Sequence, residues 1–313
     1  MLARVAENIY WMARYLERAE GMARLISVTA NLTLDLPKGL TPMWRQLIAI
    51  TGAEALYSSS DYDERTVLKF LISEPTAQVS ILSCLACARE NARTIRDVIP
   101  REVWETMNTA YLHAKEQAPQ AVNKRARFAF LEEVIRQCQT LTGILSGTMN
   151  HDSGYLFVRI GRYLERADMT SRIVDIRSAN LLPDATTAHA TFENLQWMSV
   201  LRSLSGYQMY RRAMQLRVQR TEVLRFLFQS DVFPRSLSFC INAVNDAVEF
   251  LPNHDKTQLV VHRVKRQLDH AQIDQLKQAE LQAFNDQLQI GFAQVHDELR
   301  STYFSGLGVA SAA

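Results

Sequence analysis

The sequence predicts an all-α fold: a helical bundle built from two tandem, pseudo-two-fold related helical repeats plus a C-terminal helical hairpin. Three observations carry this. Arg14-Tyr15-Leu16-Glu17-Arg18-Ala19 returns unchanged as Arg162-Tyr163-Leu164-Glu165-Arg166-Ala167, which marks an internal repeat. Apolar residues recur at spacings of three and four, and no stretch alternates with the period of two that a strand requires. Pro and Gly punctuate the chain at intervals of helical length.

Taken in order, Leu2 to about Leu34 contains no proline. Leu2, Val5, Ile9, Met12, Leu16, Ala19, Ala23 and Ile26 make one apolar stripe. Pro37 and Gly39 end it. Thr41-Pro42 reads as an N-cap with Pro at the first helical position, opening a helix through Trp44, Leu47 and Ile48. Asp63 and Glu64 start another through Val67 to Leu71. Pro75 separates it from a helix expected over Ala77–Val98. Pro100 precedes a helix over Glu102–Gln117, closed by Pro119, and Val122–Met149 forms the next. His151 to Gly154 is a turn before the second repeat helix, about Tyr155–Ala179, which ends near Pro183. Helices follow over Trp197–Leu204, Gln208–Gln215, Glu222–Phe228 and Pro234–Phe250. The last two, Lys256–His270 and Ile273–Tyr303, form the hairpin, and the tail from Ser305 is expected to fray.

The duplication runs beyond the hexapeptide. Trp44 and Tyr57 align with Trp197 and Tyr210; Val67-Leu68-Lys69-Phe70-Leu71 aligns with Val223-Leu224-Arg225-Phe226-Leu227; Ser80 and Cys84 align with Ser236 and Cys240. Repeat one therefore covers about 2–100, connecting helices 101–149, repeat two about 150–251, and the C-terminal helices 256–303. Two copies of a helical unit pack about a pseudo-two-fold axis and share a core, so 1–313 is read as a single domain.

Bulk properties exclude several classes. The 35 basic and 33 acidic residues nearly cancel, which gives no overall pull toward nucleic acid or an anionic membrane. No stretch approaches the ~18 uncharged apolar residues of a membrane span. The first twenty residues are too charged for a secretory signal, so a cytoplasmic location is expected. Cys84, Cys87, Cys138 and Cys240 are too few for a disulfide framework in a chain of 313 residues. Cys84 and Cys87 form a lone CxxC inside an apolar run and read as buried thiols. No Walker loop, dinucleotide fingerprint, nucleophile elbow or HExxH pair is present.

The chemistry concentrates on the two motif helices. Glu17, Glu20 and Arg24 fall together beside the apolar stripe, with Arg14 and Arg18 further round. The second copy repeats this with Glu165, Asp168 and Arg172, and with Arg162 and Arg166 beyond. Ala6 and Ala13 lie next to the acids, and Gly161 replaces Ala13. Small residues beside charges predict the close approach of another backbone. One reading is a salt-bridge network in which the two Glu-Arg pairs cross-pair and fix helix register. A second is a polar pocket where Arg binds a carboxylate or phosphate and Glu orients an amine or acts as a base. A third, a carboxylate-bridged dimetal site, lacks the usual Glu-x-x-His pairs and is crowded by arginines, so no metal is expected. A further polar run, Arg89, Glu90, Asn91 and Arg93, has Arg96 beyond it. Arg89, Arg93 and Arg96 are expected to share one helical face, either solvated or forming an anion or partner surface against the motif helices.

Three stretches then add up to a family. Ala6 to Glu20, Ala88 to Arg93 and Gly161 to Asp168, together with Trp104-Glu105 and Pro234-Arg235-Ser236, resemble the bacterial alpha-E domain family, an all-helical domain named for its Glu-Arg motif. The resemblance implies a context: such proteins occur beside a circularly permuted ATP-grasp protein, and often beside a transglutaminase-like peptidase or a proteasome-like hydrolase. The implied role is a subunit or helper in forming an amide or peptide-like bond. It implies ATP and Mg on the partner rather than on this chain, and a small amino-acid or peptide substrate. Glu17, Arg18, Glu165 and Arg166 match the motif, with Arg89, Glu90, Asn91 and Arg93 as a second one. The alternatives are an independent helical enzyme using its carboxylates, with or without a metal, and a noncatalytic scaffold.

Overall fold

The computed structural model describes residues 1–35, 44–179, 187–214 and 217–305. Thirteen α-helices and no strand are found among them. In chain order they are α1 (Ala3–Asp35), α2 (Trp44–Thr51), α3 (Glu64–Ser73), α4 (Ile81–Thr94), α5 (Arg101–Ala121), α6 (Lys124–Thr148), α7 (Ser153–Ala179), α8 (Thr187–Ser203), α9 (Tyr207–Met214), α10 (Arg220–Gln229), α11 (Leu237–Glu249), α12 (Asp255–His270) and α13 (Gln278–Leu299). None is long and apolar enough to cross a membrane.

The 33-residue α1 has no internal proline to interrupt its hydrogen-bond ladder, and its apolar stripe is wide. Ile9, Met12, Ala19, Met22, Ala23, Leu25 and Ile26 are fully buried. Such a helix must be covered on several sides. It packs on α7 and α4 most extensively, then on α6 and α8. The partners of α7 form a matching series: α11 and α13 cover it, as α4 and α6 cover α1. The hairpin α5–α6 closes over α4 and α1, and α12–α13 closes over α11 and α7. The pair read from sequence as connecting helices thus makes the same kind of contacts as the C-terminal pair.

Local detail matches as well. Ser80 caps α4 by accepting from the Ser83 amide and donates to the Glu74 carbonyl; Ser236 caps α11 by accepting from the Phe239 amide and donates to the Ser230 carbonyl. The aligned tryptophans, Trp44 and Trp197, are both buried, as are Tyr57 and Tyr210.

Several boundaries differ from expectation, each for a local reason. The helix expected over Ala77–Val98 is confined to α4, because the Ser80 cap makes 77–80 a turn and the helix ends at Thr94. The start expected at Pro234 moves to Leu237 for the same reason. Helix α5 runs through Pro119 to Ala121. Proline removes one ladder bond, but the last turn is held by buried Ala118 and Ala121. The expected helix over Ile273–Tyr303 is broken: a 3-10 turn at Ile273–Gln275 precedes α13, where the Lys277 amide donates to Glu280 Oε2 at 2.8 Å. The Thr41-Pro42 start, the stops at Pro37, Gly39 and Pro183, and the tail beyond Ser305 lie outside the described residues.

Helices α1 and α7 approach closely at Gly161. A Cβ there would overlap the Tyr10 carbonyl oxygen and lie 3.3 Å from the Ala13 Cβ, so the close approach expected from Ala13 and Gly161 is realised. Gly161→Ala should lower stability by about 1–3 kcal/mol through overpacking. Gly143→Ala, on α6 where a Cβ would meet nothing, should instead gain roughly 0.5–1 kcal/mol from helix propensity. Chemical denaturation of the two variants checks both signs.

Candidate functional site

The close contact of α1 and α7 brings the two Glu-Arg pairs face to face, and they exchange partners. Arg18 donates to both oxygens of Glu165, from Nε at 2.5 Å and Nη2 at 3.0 Å, and Arg14 Nε adds a bond of 2.7 Å. In return Arg166 forks onto Glu17, Nε to Oε1 at 2.8 Å and Nη2 to Oε2 at 2.7 Å. A fourth arginine, Arg235, arrives from the turn before α11 and bridges Glu17 (2.7 Å) and Glu20 (2.9 Å). Arg24 also holds Glu20, at 2.8 Å. The carboxylates are at most 5% exposed and the five arginines at most 17%. Arg18 and Arg166 each spend one more N–H on a backbone carbonyl, of Gln78 and Pro234.

This environment fixes the charges. Burial alone would raise the Glu165 pKa, but the charges of Arg18 and Arg14 and their hydrogen bonds override it and hold the carboxyl down at about 2. Glu17 is held at about 2 in the same way, burial being overcome by Arg166, Arg235 and the more distant Arg162. Acids this weakly basic make poor proton acceptors near neutral pH. Burial instead pushes the Cys84 and Cys240 thiols up to about 12, in keeping with inert buried thiols.

The network continues on one side only. Arg14 Nη1 donates to the Tyr10 hydroxyl at 3.0 Å, and that hydroxyl lies 2.9 Å from His296 Nδ1 on α13. Burial and the Arg14 charge push the His296 imidazole below its ordinary pKa. Arg162, the counterpart of Arg14, makes no such bridge: its buried Nε lacks a hydrogen-bond partner, and its guanidinium stacks 5.1 Å from the Tyr163 ring centre.

Beside the seam lies a cavity of about 220 Å³, lined on its polar side by Arg14, Arg18, Glu165, Asp168 and Arg172 and elsewhere by Met22, Ile50, Thr51, Val79 and Met169. Arg172 Nε donates to Asp168 Oδ2 at 2.9 Å. Its guanidinium lies against Gly52, just past the C-terminus of α2, where a Cβ would stand 2.9 Å from Nη1. A helix C-terminus carries partial negative charge and favours such a cation.

The second polar run does not join this site. Arg89 donates to Asn108 Oδ1 at 2.7 Å and lies 5.5 Å and 5.2 Å from the ring centres of Trp104 and Tyr111. Glu90 and Arg93 pair with each other at 2.6 Å on the exposed surface, and the Asn91 carbonyl accepts from Thr94. Of the three residues expected to share one face, Arg89 and Arg96 meet over the Trp104 ring, whereas Arg93 pairs with Glu90 on the surface. Arg235, Tyr10 and His296 are the participants that spacing did not reveal. Among the described residues no group of three His, Cys, Asp or Glu side chains could hold a metal ion, and Glu17, Glu20 and Glu165 already accept from arginines.

Fold and seam together define a class: an all-α protein whose two central helices exchange Glu-Arg pairs. The chain belongs to the alpha-E family, "a predicted alpha-helical domain with a conserved ER motif", whose model matches residues 1–304. It is similar to uncharacterized proteins of Mycobacterium bovis (23% identical over 320 residues) and of two Mycobacterium tuberculosis strains (23% and 22%). Those alignments cover 95% of this chain and 36% of each relative, so the chain spans about a third of their length. No solved structure matches.

The depressed acids set an acid limit. A carboxylate with a lowered folded-state pKa contributes stability above its unfolded value near 4.5 and loses it as pH falls toward about 2. Unfolding free energy should therefore drop between pH 4.5 and 2. Asp175 works the other way: burial and the charge of Asp286 raise it to about 6, so stability falls as pH rises from about 4 to 6. Glu165→Gln should cost about 3–5 kcal/mol at neutral pH by stranding Arg14 and Arg18 and should flatten the acid limb in denaturation measured across pH.

Proposed function

We propose that the chain is a noncatalytic helical partner of a circularly permuted ATP-grasp ligase, acting with it in the cytoplasm in amide or peptide bond formation. In this reading the cavity beside the seam receives the carboxylate of a small amino-acid or peptide substrate. The observation that carries the seat is an imbalance of charge. Five buried arginines share the three carboxylates of Glu17, Glu20 and Glu165. Two of those arginines, with Arg172, line the one side of the seam where the cavity opens. A carboxylate is the group that relieves such a surplus, through charge-assisted hydrogen bonds.

Division of labour follows from what the residues can do. The seam acids are ionised and held by arginines, suited to fixing geometry. The partner would supply ATP and Mg and would activate, as an acyl phosphate, a carboxylate other than the one held in the cavity. The match of this chain to one part of longer relatives supports a domain that works alongside others. A purely structural scaffold is the second reading, favoured by the pairing of every carboxylate in the seam with at least two arginines.

Arg172 separates the two. It is the most exposed cation of the cavity, at 32%, so Arg172→Ala should leave folding and co-purification with the ATP-grasp protein intact. Loss of a charged hydrogen bond worth about 1.5–3 kcal/mol should raise the substrate KM of the pair some tenfold or more. Full amide-forming activity by the ATP-grasp protein alone, or an unchanged KM in the variant, would defeat the proposal.

A further inference from the structure

The cavity has a cause in one residue. In the turn before α11, Pro234 accepts from Arg166, Ser236 caps the helix, and Arg235 between them reaches down to bridge Glu17 and Glu20. In the turn before α4, Gln78 accepts from Arg18, Ser80 caps the helix, and the residue between them is Val79. The acids that Val79 faces stand at the same i, i+3 spacing, Glu165 and Asp168, and both line the cavity, as Val79 does. A valine cannot make the bridge that Arg235 makes. Asp168 is also one methylene shorter than Glu20, which widens the space further.

We propose that this vacancy is an ammonium seat. The α-amino group of a substrate occupies the place that Arg235 fills on the other side, directed to Asp168 and Glu165. This rests on the carboxylate-seat reading and completes it. A bare cation would meet the surplus of arginines, whereas an α-amino acid brings its carboxylate to Arg172 and Arg14 and its ammonium to the acids. The ligand class is therefore a free α-amino acid, which keeps both groups on one carbon. Asp168 retains capacity for a donor, since its carboxylate accepts from Arg172 through Oδ2 and each carboxylate offers about four acceptor positions.

The test uses the full chain without any partner, so its outcome is separate from the ligase question. Calorimetric titration compares glycine, acetate and methylammonium at constant ionic strength. Glycine should bind about tenfold or more tightly than acetate, as expected for an added charged hydrogen bond, and methylammonium weakest. Val79→Arg places the missing guanidinium at a half-buried position; it should raise the melting temperature and abolish glycine binding. Asp168→Asn should reduce glycine to the affinity of acetate. Equal binding of glycine and acetate by the unmodified chain would overturn the ammonium seat while leaving a carboxylate seat standing. Undiminished glycine binding by folded Val79→Arg or Asp168→Asn would overturn it too, and absence of binding by all three probes would remove both seats.

Discussion

Everything central in this molecule depends on a reciprocal exchange of ion pairs between two buried helices. Arg18 of α1 holds Glu165 of α7, and Arg166 of α7 holds Glu17 of α1. Each acid would be strongly disfavoured in the core without its arginine, and each arginine without its acid. The exchange therefore works only at one register. Sliding α1 along α7 by a single turn would separate all four charges at once and would carry the Tyr10 carbonyl off the notch that Gly161 provides. Electrostatics and steric fit select the same alignment, and the outer helices then pack on a pair whose geometry is already determined.

The exchange is symmetric in its two shared pairs and asymmetric around them. Glu165 takes its second arginine from the neighbouring turn of α1, whereas Glu17 takes its second from Arg235, outside the helix pair. Arg14 leads on to Tyr10 and His296; Arg162 leads nowhere. A structure concerned with stability alone gains nothing by leaving Arg162 without a hydrogen bond at Nε or by leaving a cavity at Val79. Divergence of the two flanks leaves the cavity on the side of Arg14, Arg18 and Arg172, and that side carries the proposed ligand.

Much of this could be read from the residues. The wide stripe of α1 located the core, the repeated hexapeptide located the seam, and Ala13 with Gly161 located the close approach. These signals are local, with periodicity and small size acting within one helix. What could not be read depends on groups far apart in sequence. No spacing rule connects Arg235 to Glu17, or Tyr10 to His296 on α13. The signal for Arg235 was present in the aligned serines, since the residue preceding Ser236 differs in charge from the one preceding Ser80. The face expected from Arg89, Arg93 and Arg96 formed only in part: Arg89 and Arg96 meet on Trp104, which α5 supplies across a turn, while Arg93 stays on the surface with Glu90.

Burial of eight charged groups has to be weighed against a simpler core. Replacing a buried ion-pair cluster with apolar side chains of similar volume is often neutral or stabilising by about 1–4 kcal/mol, so the seam is not explained by stability. Register could be fixed with fewer charges, since the Gly161 notch already opposes sliding. The arginines beyond the two shared pairs are what register does not require. Arg14 and Arg235 each add a second cation to an acid that Arg18 or Arg166 has already neutralised. On the α11 side the added cation fills its space. On the α4 side it borders a cavity whose remaining walls include a further arginine and an aspartate. In the proposed reading, an α-amino acid in that cavity would set its carboxylate against Arg14 and Arg172 and its ammonium against Asp168, which would give the added cations a use that register does not.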